Sequence, residues 1–209
     1  DITKPGDVEI EVKEIASGVL SRVELYSEII RDTSVKYGVD ENLIKAVIAQ
    51  DSMGIYHFVS SCGEAGLMRL TPLTAKENGI SEDEIYDYNS YGVLGSSCDE
   101  DYSNRLISER APIVSSGLLN EEQRESALVS LDARFDASRN LDVGVVYLRH
   151  QLDSFGDEVL ALVAYYTDSD TVTRYCDIEA GLGSCSVSQE TLDYVVSVLG
   201  YKLYLQSPQ

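Results

Sequence analysis

The sequence predicts an all-α fold, on three observations. Apolar residues recur at spacings of three and four through most of the chain, the period of helices that bury one face. Short oxygen-bearing side chains stand just before these stretches, where they can accept from the free N–H groups of a first turn, and glycines often stand after them. Strand-like alternation is confined to residues 7–12, where Val8, Ile10 and Val12 share one side, so a short N-terminal extended arm is expected ahead of the helical body.

The elements follow in order. From Lys13 to Tyr37 the positions Ile15, Val19, Val23, Tyr26, Ile29 and Ile30 form one helical stripe that Gly38 closes. Asp40 caps a second helix carrying Leu43, Ile44, Val47 and Ile48. Thr71-Pro72 supplies a cap and a first-turn proline, and Gly79 ends that short helix. Ser81 with Glu84, and Asn120 with Gln123, have capping-box spacing. Between Asn89 and Ser116 the chain turns Gly-, Ser- and Asp-rich around Cys98, which reads as a long inserted surface loop. Leu141, Val145, Leu148, Leu152 and Phe155 make the next stripe, stopped by Gly156. Asp157 then opens an apolar run through Leu160, Ala161, Val163 and Ala164, and Ser188 opens the last helix with Val195, Val196, Leu199 and Leu203. Seven to nine helices are expected, with no internal repeat and no linker.

Composition bounds the function. The 209 residues are 44% hydrophobic and 25% charged, with 4 Pro and 15 Gly, which is globular composition. Thirty-six acidic against sixteen basic residues give a net charge of −20, which repels phosphate backbones and anionic lipid, so nucleic acid is not an expected partner. No apolar run approaches the roughly 20 residues of a membrane span, so the chain is not expected to cross one. It begins at Asp1 rather than Met, as a processed or a trimmed chain would.

Cys62, Cys98, Cys176 and Cys185 form an even set without a C-x-x-C pair, which suggests neither a zinc site nor a thioredoxin-like pair. Two disulfides are expected, with connectivity open and four free thiols as the alternative. Cys176 and Cys185 enclose a short segment with Gly181 and Gly183, of the kind a disulfide staples at roughly 2–3 kcal/mol. Disulfides imply an oxidising compartment, hence an extracellular, periplasmic or cell-surface location. No cofactor or metal is expected. His57 and His150 lack the context of a nucleophile, the acidic runs at 81–84 and 98–102 lack the spacing of a calcium loop, and the Gly-Leu-Gly at 181–183 lacks the rest of a phosphate cradle.

Five segments in order carry a family resemblance: YGVDENLIKAVIAQDS at 37–52, CGEAGLMRLTPLTAKENGI at 62–80, FDASRNLDVGVVYLRHQL at 135–152, VLALVAYYTDSDTV at 159–172 and ETLDYVVSVLGYKLY at 190–204. Together they resemble the soluble-type lytic transglycosylase (SLT) domain, a goose-lysozyme-like fold, over residues 25–209 with an insertion at 81–134; residues 1–24 then form an arm and leading helix. The resemblance implies a cell-wall or other surface glycan as partner and cleavage of peptidoglycan strands to a 1,6-anhydro product. It also implies a single carboxylate that first protonates the leaving oxygen and then helps deprotonate the sugar's 6-hydroxyl.

The position matching the family's catalytic glutamate is Asp51, with Ser52, Met68, Arg69, Tyr165, Tyr166, Glu190 and Tyr194 at substrate-facing positions. Four positions depart from the family pattern. Asp51 stands for Glu, Arg69 for Gln, Tyr166 for Asn and Asp168 for Gly. Aspartate draws the carboxyl back by about 1 Å, and a misplacement of that size costs around a hundredfold in rate. A phenol cannot reproduce an amide's donor and acceptor pair, and Arg69 brings a cation beside the acid. The expectation is a secreted, transglycosylase-like protein with a degenerate catalytic site, acting as a glycan-binding or structural subunit that self-associates through the arm. The alternative is an active transglycosylase or muramidase using Asp51.

Overall fold

The structure, a computed structural model, describes residues 17–92, 98–177 and 185–207. The alternating arm at 7–12 and the glycines at 181 and 183 lie outside the described residues. Among those described, every regular element is helical, apart from isolated antiparallel bridges from Ala65 to Val59 and to Leu70. No described helix is long and apolar enough to cross a membrane.

The expected first helix is broken. Residues 17–23 form α1, Glu24–Tyr26 tighten into a 3-10 turn, and α2 runs Ser27–Tyr37 to Gly38, whose φ of 64° makes the left-handed stop. At the break the Ser27 hydroxyl donates to the Glu24 carbonyl (2.8 Å), the local competition that favours serine at helix ends. Helix α3, Glu41–Ser52, starts where Asp40 accepts from the Asn42 N–H at 2.8 Å. Leu43, Ile44, Ala46, Val47, Ile48 and Ala49 are all buried, so α3 is apolar on nearly every side and sits at the centre of the body. The long C-terminal helix α10, Gln189–Gln206, packs along it, while α7 (Ala137–Phe155) packs on α2 and on α8 (Glu158–Tyr166). Two short helices, α4 (Pro72–Glu77) and α9 (Ser169–Tyr175), fill in around them, the second of which the sequence pattern did not single out. With α5 and α6 below, ten α-helical segments are described, above the expected range.

The insertion differs from its reading as a long loop. Glu100–Val114 form α5, followed by α6, Glu121–Leu131. Asp99 caps α5 by accepting from the Tyr102 N–H (2.9 Å), and acidic Glu100 and Asp101 suit the positive end of the helix dipole. Tyr102 and Leu106, one turn apart, are fully buried with Ala65, Leu128 and Phe135 in a second, smaller core. Pro112 lies in the last turn, where it removes a donor shortly before the helix ends, and so masks the periodic signal without preventing the helix.

Both disulfides form, as Cys62–Cys98 and Cys176–Cys185. The first ties the chain ahead of α5 to the loop that follows α3. That loop, residues 58–70, is moored from below. Gly66 has φ 84°, and a Cβ there would stand 2.0 Å from Asn140 Nδ2 and 2.3 Å from the Arg134 carbonyl oxygen, so only glycine fits. Asn140, from α7, accepts from the Met68 N–H (2.8 Å) and donates to the carbonyls of Ala65 (3.1 Å) and Arg134 (2.9 Å).

Candidate functional site

The C-terminal end of α3 delivers Asp51 and Ser52 to the place where the 58–70 loop, α8 and α10 meet. Asp51 is 5% exposed. The Tyr165 hydroxyl, from α8, donates to the Met68 carbonyl at 2.8 Å and reaches Asp51 Oδ2 only at 3.4 Å. Tyr194, from α10, is buried beside the same carboxyl; its hydroxyl has no partner in hydrogen-bond geometry yet lies close enough to favour the charged acid. Ser52 turns away, donating to the Ile48 carbonyl at 3.2 Å within its own helix.

Burial pushes the Asp51 carboxyl up to about 7, against the pull of the Arg69 guanidinium, with Glu64 adding to the rise and Tyr194 and Tyr165 opposing it. Arg69 itself stays charged. Burial disfavours its charge, but the carboxylates of Glu64 and Asp51 outweigh that. Its Nε donates to Glu64 Oε2 at 2.9 Å and its Nη2 ion-pairs with the same oxygen. The backbone of Arg69 has φ 46°, the left-handed region that costs a non-glycine residue roughly 1–2 kcal/mol, and it is held there by the bonds between Ala65 and Leu70, 3.0 Å in each direction.

Above the acid, Tyr166 stacks on Tyr194 with ring centroids 4.4 Å apart and planes at 21°, and its hydroxyl donates to Glu190 Oε1 at 2.6 Å. Burial and the Glu190 carboxylate push the Tyr166 phenol up to about 12. On one side lies a hollow of about 470 Å³, walled by Tyr147, Tyr165, Glu64 and the Cys62–Cys98 bridge. On the other lies one of about 400 Å³, walled by Gln50, Asp193 and Tyr194. Arg69, Tyr166 and Glu190 line both, so they stand as a partition between them. Asp51 lines neither.

A helical body with a carboxyl at the end of its central helix, faced by a glycine-containing loop and two tyrosines, can now be set against known families. Residues 28–91 match the transglycosylase SLT domain. The resemblance to lytic transglycosylases, and the lysozyme-like all-α architecture expected from it, therefore stand on a comparison as well as on the motifs. The SLT match spans α2, α3, the 58–70 loop and α4, and thus Asp51, Ser52, Met68 and Arg69. Tyr165, Tyr166, Glu190 and Tyr194 lie beyond it, and the packing of α8 and α10 brings them to the same place. Met68 is wholly buried and contributes its carbonyl rather than its side chain.

Two residues at the site were not read from the sequence. Glu64 was passed over because an acidic residue in a polar turn looks solvated; its five-residue separation from Arg69 was the available signal. Arg134, which moors the loop from below, carries no local signal: an arginine is ordinarily exposed, and nothing in its neighbours announces that it is wholly buried.

Proposed function

We propose that this lytic-transglycosylase-like chain is an extracytoplasmic glycan-binding or structural subunit that holds a cell-wall or related glycan strand without cutting it. The observation that supports the reading is the partition. An acid catalyst must come within hydrogen-bond reach of the bridging oxygen, whereas Asp51 is nearly sealed and the ion-paired Arg69 and the Tyr166–Glu190 pair stand between the two hollows. The tyrosine rings and polar walls are the surfaces on which sugars pack. The disulfides are consistent with an oxidising location.

Incubation with purified peptidoglycan, read by mass spectrometry, is expected to yield no anhydro-sugar product from the wild type or from Asp51→Asn. Turnover by the wild type that disappears in the Asn form would overturn the reading. Asp51→Glu tests how much of the loss lies in the shortened acid alone; with the partition intact, it is expected to remain inactive.

A second reading, an active transglycosylase or muramidase, is favoured by one observation. The Asp51 carboxyl is raised to about 7, so it holds a proton near neutrality, as a general acid must.

The assembly part of the proposal rests on the alternating arm, which would add to a neighbouring copy as an extended segment. Deleting residues 1–12 is expected to reduce the particle size measured by light scattering; an unchanged size would remove the arm from the proposal.

A further inference from the structure

The two hollows are lined by more negative charge than they can neutralise. Arg69, the one cation lining them among the described residues, is engaged by Glu64. Asp168, Glu190 and Asp193 remain. Asp168 caps α9, accepting from the Thr171 N–H at 2.6 Å and its hydroxyl at 2.9 Å. Asp193 accepts from Gln189 Nε2 at 2.8 Å, and Glu190 from the Tyr166 hydroxyl at 2.6 Å. All of these donors are neutral, and no ion pair engages the three carboxylates among the described residues. Each carboxylate has lone pairs to spare and is exposed at the rim of a concave, tyrosine-walled surface, where low-dielectric walls concentrate the field.

That arrangement discriminates among glycans. An N-acetylated sugar is neutral and gains nothing from the field, and a strand bearing free carboxylates is repelled by it. A hexosamine with a free amine presents an ammonium that can donate to these oxygens while its ring faces lie on the tyrosines. Resting on the glycan-binding reading above, we propose that the groove selects amino sugars that have lost their N-acetyl groups, with Glu190 and Asp193 in one hollow and Asp168 and Glu190 in the other as the ammonium acceptors.

Titration calorimetry with a glucosamine tetrasaccharide and an N-acetylglucosamine tetrasaccharide tests this on the full chain at slightly acid pH. The free-amine oligomer is expected to bind about tenfold more tightly, the size of a few exposed charge pairs acting together. Most of that preference is expected to vanish in about 1 M salt, where the Debye length falls to about 3 Å. The double variant Glu190→Gln/Asp193→Asn is expected to lose about tenfold for the amine and little for the acetylated oligomer. A control, Glu122→Gln/Glu125→Gln on α6, removes equal charge from a helix that lines neither hollow and is expected to change neither affinity by more than about twofold.

Equal or tighter binding of the acetylated oligomer overturns the amine preference and leaves glycan binding intact. Equal losses in the groove and control variants also overturn it, since overall charge would then explain the attraction. Binding of neither oligomer overturns the glycan-binding reading itself.

Discussion

Arg134→Met is expected to destabilise the protein by about 3–5 kcal/mol, the cost of leaving one half of a buried ion pair alone. Arg134 and Asp132 are both wholly buried, and all five guanidinium N–H groups have acceptors. Nε donates to Asp132 Oδ1 at 3.0 Å, Nη2 to Asp132 Oδ2 and the Tyr102 hydroxyl, both at 2.7 Å, and Nη1 to the carbonyls of Gly63 and Leu70, both at 2.9 Å. Burial opposes the charge on Arg134, and Asp132, with the buried Tyr102 and the half-buried Tyr91, more than restores it. One side chain therefore joins α5, the segment before α7 and both ends of the turn that carries Glu64 and Arg69.

Removing it leaves the buried Asp132 carboxylate without its counter-ion and the Gly63 carbonyl without a donor, whereas the Leu70 carbonyl keeps the Ala65 N–H and the Tyr102 hydroxyl still donates to the Tyr86 carbonyl. Arg134→Lys is expected to recover little, because a point charge with three donors cannot reproduce the fork. Arg134→Met with Asp132→Asn is expected to be more stable than Arg134→Met alone, since no buried charge remains and the amide oxygen can still accept from the Tyr86 N–H, now 3.2 Å from Asp132. Urea midpoints for the three variants measure this. A loss below about 1 kcal/mol in Arg134→Met would show that the network contributes little.

The parts of this fold that were legible in the sequence are those set by local chemistry. The starts of α3, α8 and α10 were readable because Asp40, Asp157 and Ser188 each cap a following N–H group, and the end of α7 because Gly156 makes a left-handed stop. Among the described residues the opening stripe was readable as helical, but not its 3-10 break at Glu24–Tyr26, where the Ser27 hydroxyl bonds back to the Glu24 carbonyl. Helix α5 was obscured because Pro112 and the polar residues around Cys98 outweigh a stripe of only two buried apolar residues, Tyr102 and Leu106.

The site divides in the same way. Asp51, Tyr165, Tyr166, Glu190 and Tyr194 were found through ordered motifs, although they lie on three helices. Glu64 and Arg134 were not, because their roles depend on partners supplied by the folded loop. The partition over Asp51 is likewise a product of packing: each of its members was named from the sequence, but their pairing with Glu64 and with one another was not.

Asp51→Asn is expected to gain on the wild type by up to roughly 4 kcal/mol as pH rises from about 4 to about 8. The carboxyl has an ordinary value of 3.8 and is held at about 7 in the folded protein, chiefly by burial. Between those values the folded chain keeps a proton that the unfolded chain has released, so stability falls as pH rises through this window and levels off above it. Below 3.8 both states are protonated and the contribution is constant. Asparagine cannot ionise, so the difference between the two proteins isolates Asp51 from every other titrating group. Denaturation midpoints at a series of pH values measure it, and a difference that does not change with pH would show that Asp51 is ionised and well solvated. The same dependence bears on catalysis: the burial that keeps a proton on Asp51 near neutrality is also what separates it from the hollows. Opening the partition to admit a bridging oxygen would admit water and lower the pKa, so proton retention and substrate access oppose one another at this aspartate.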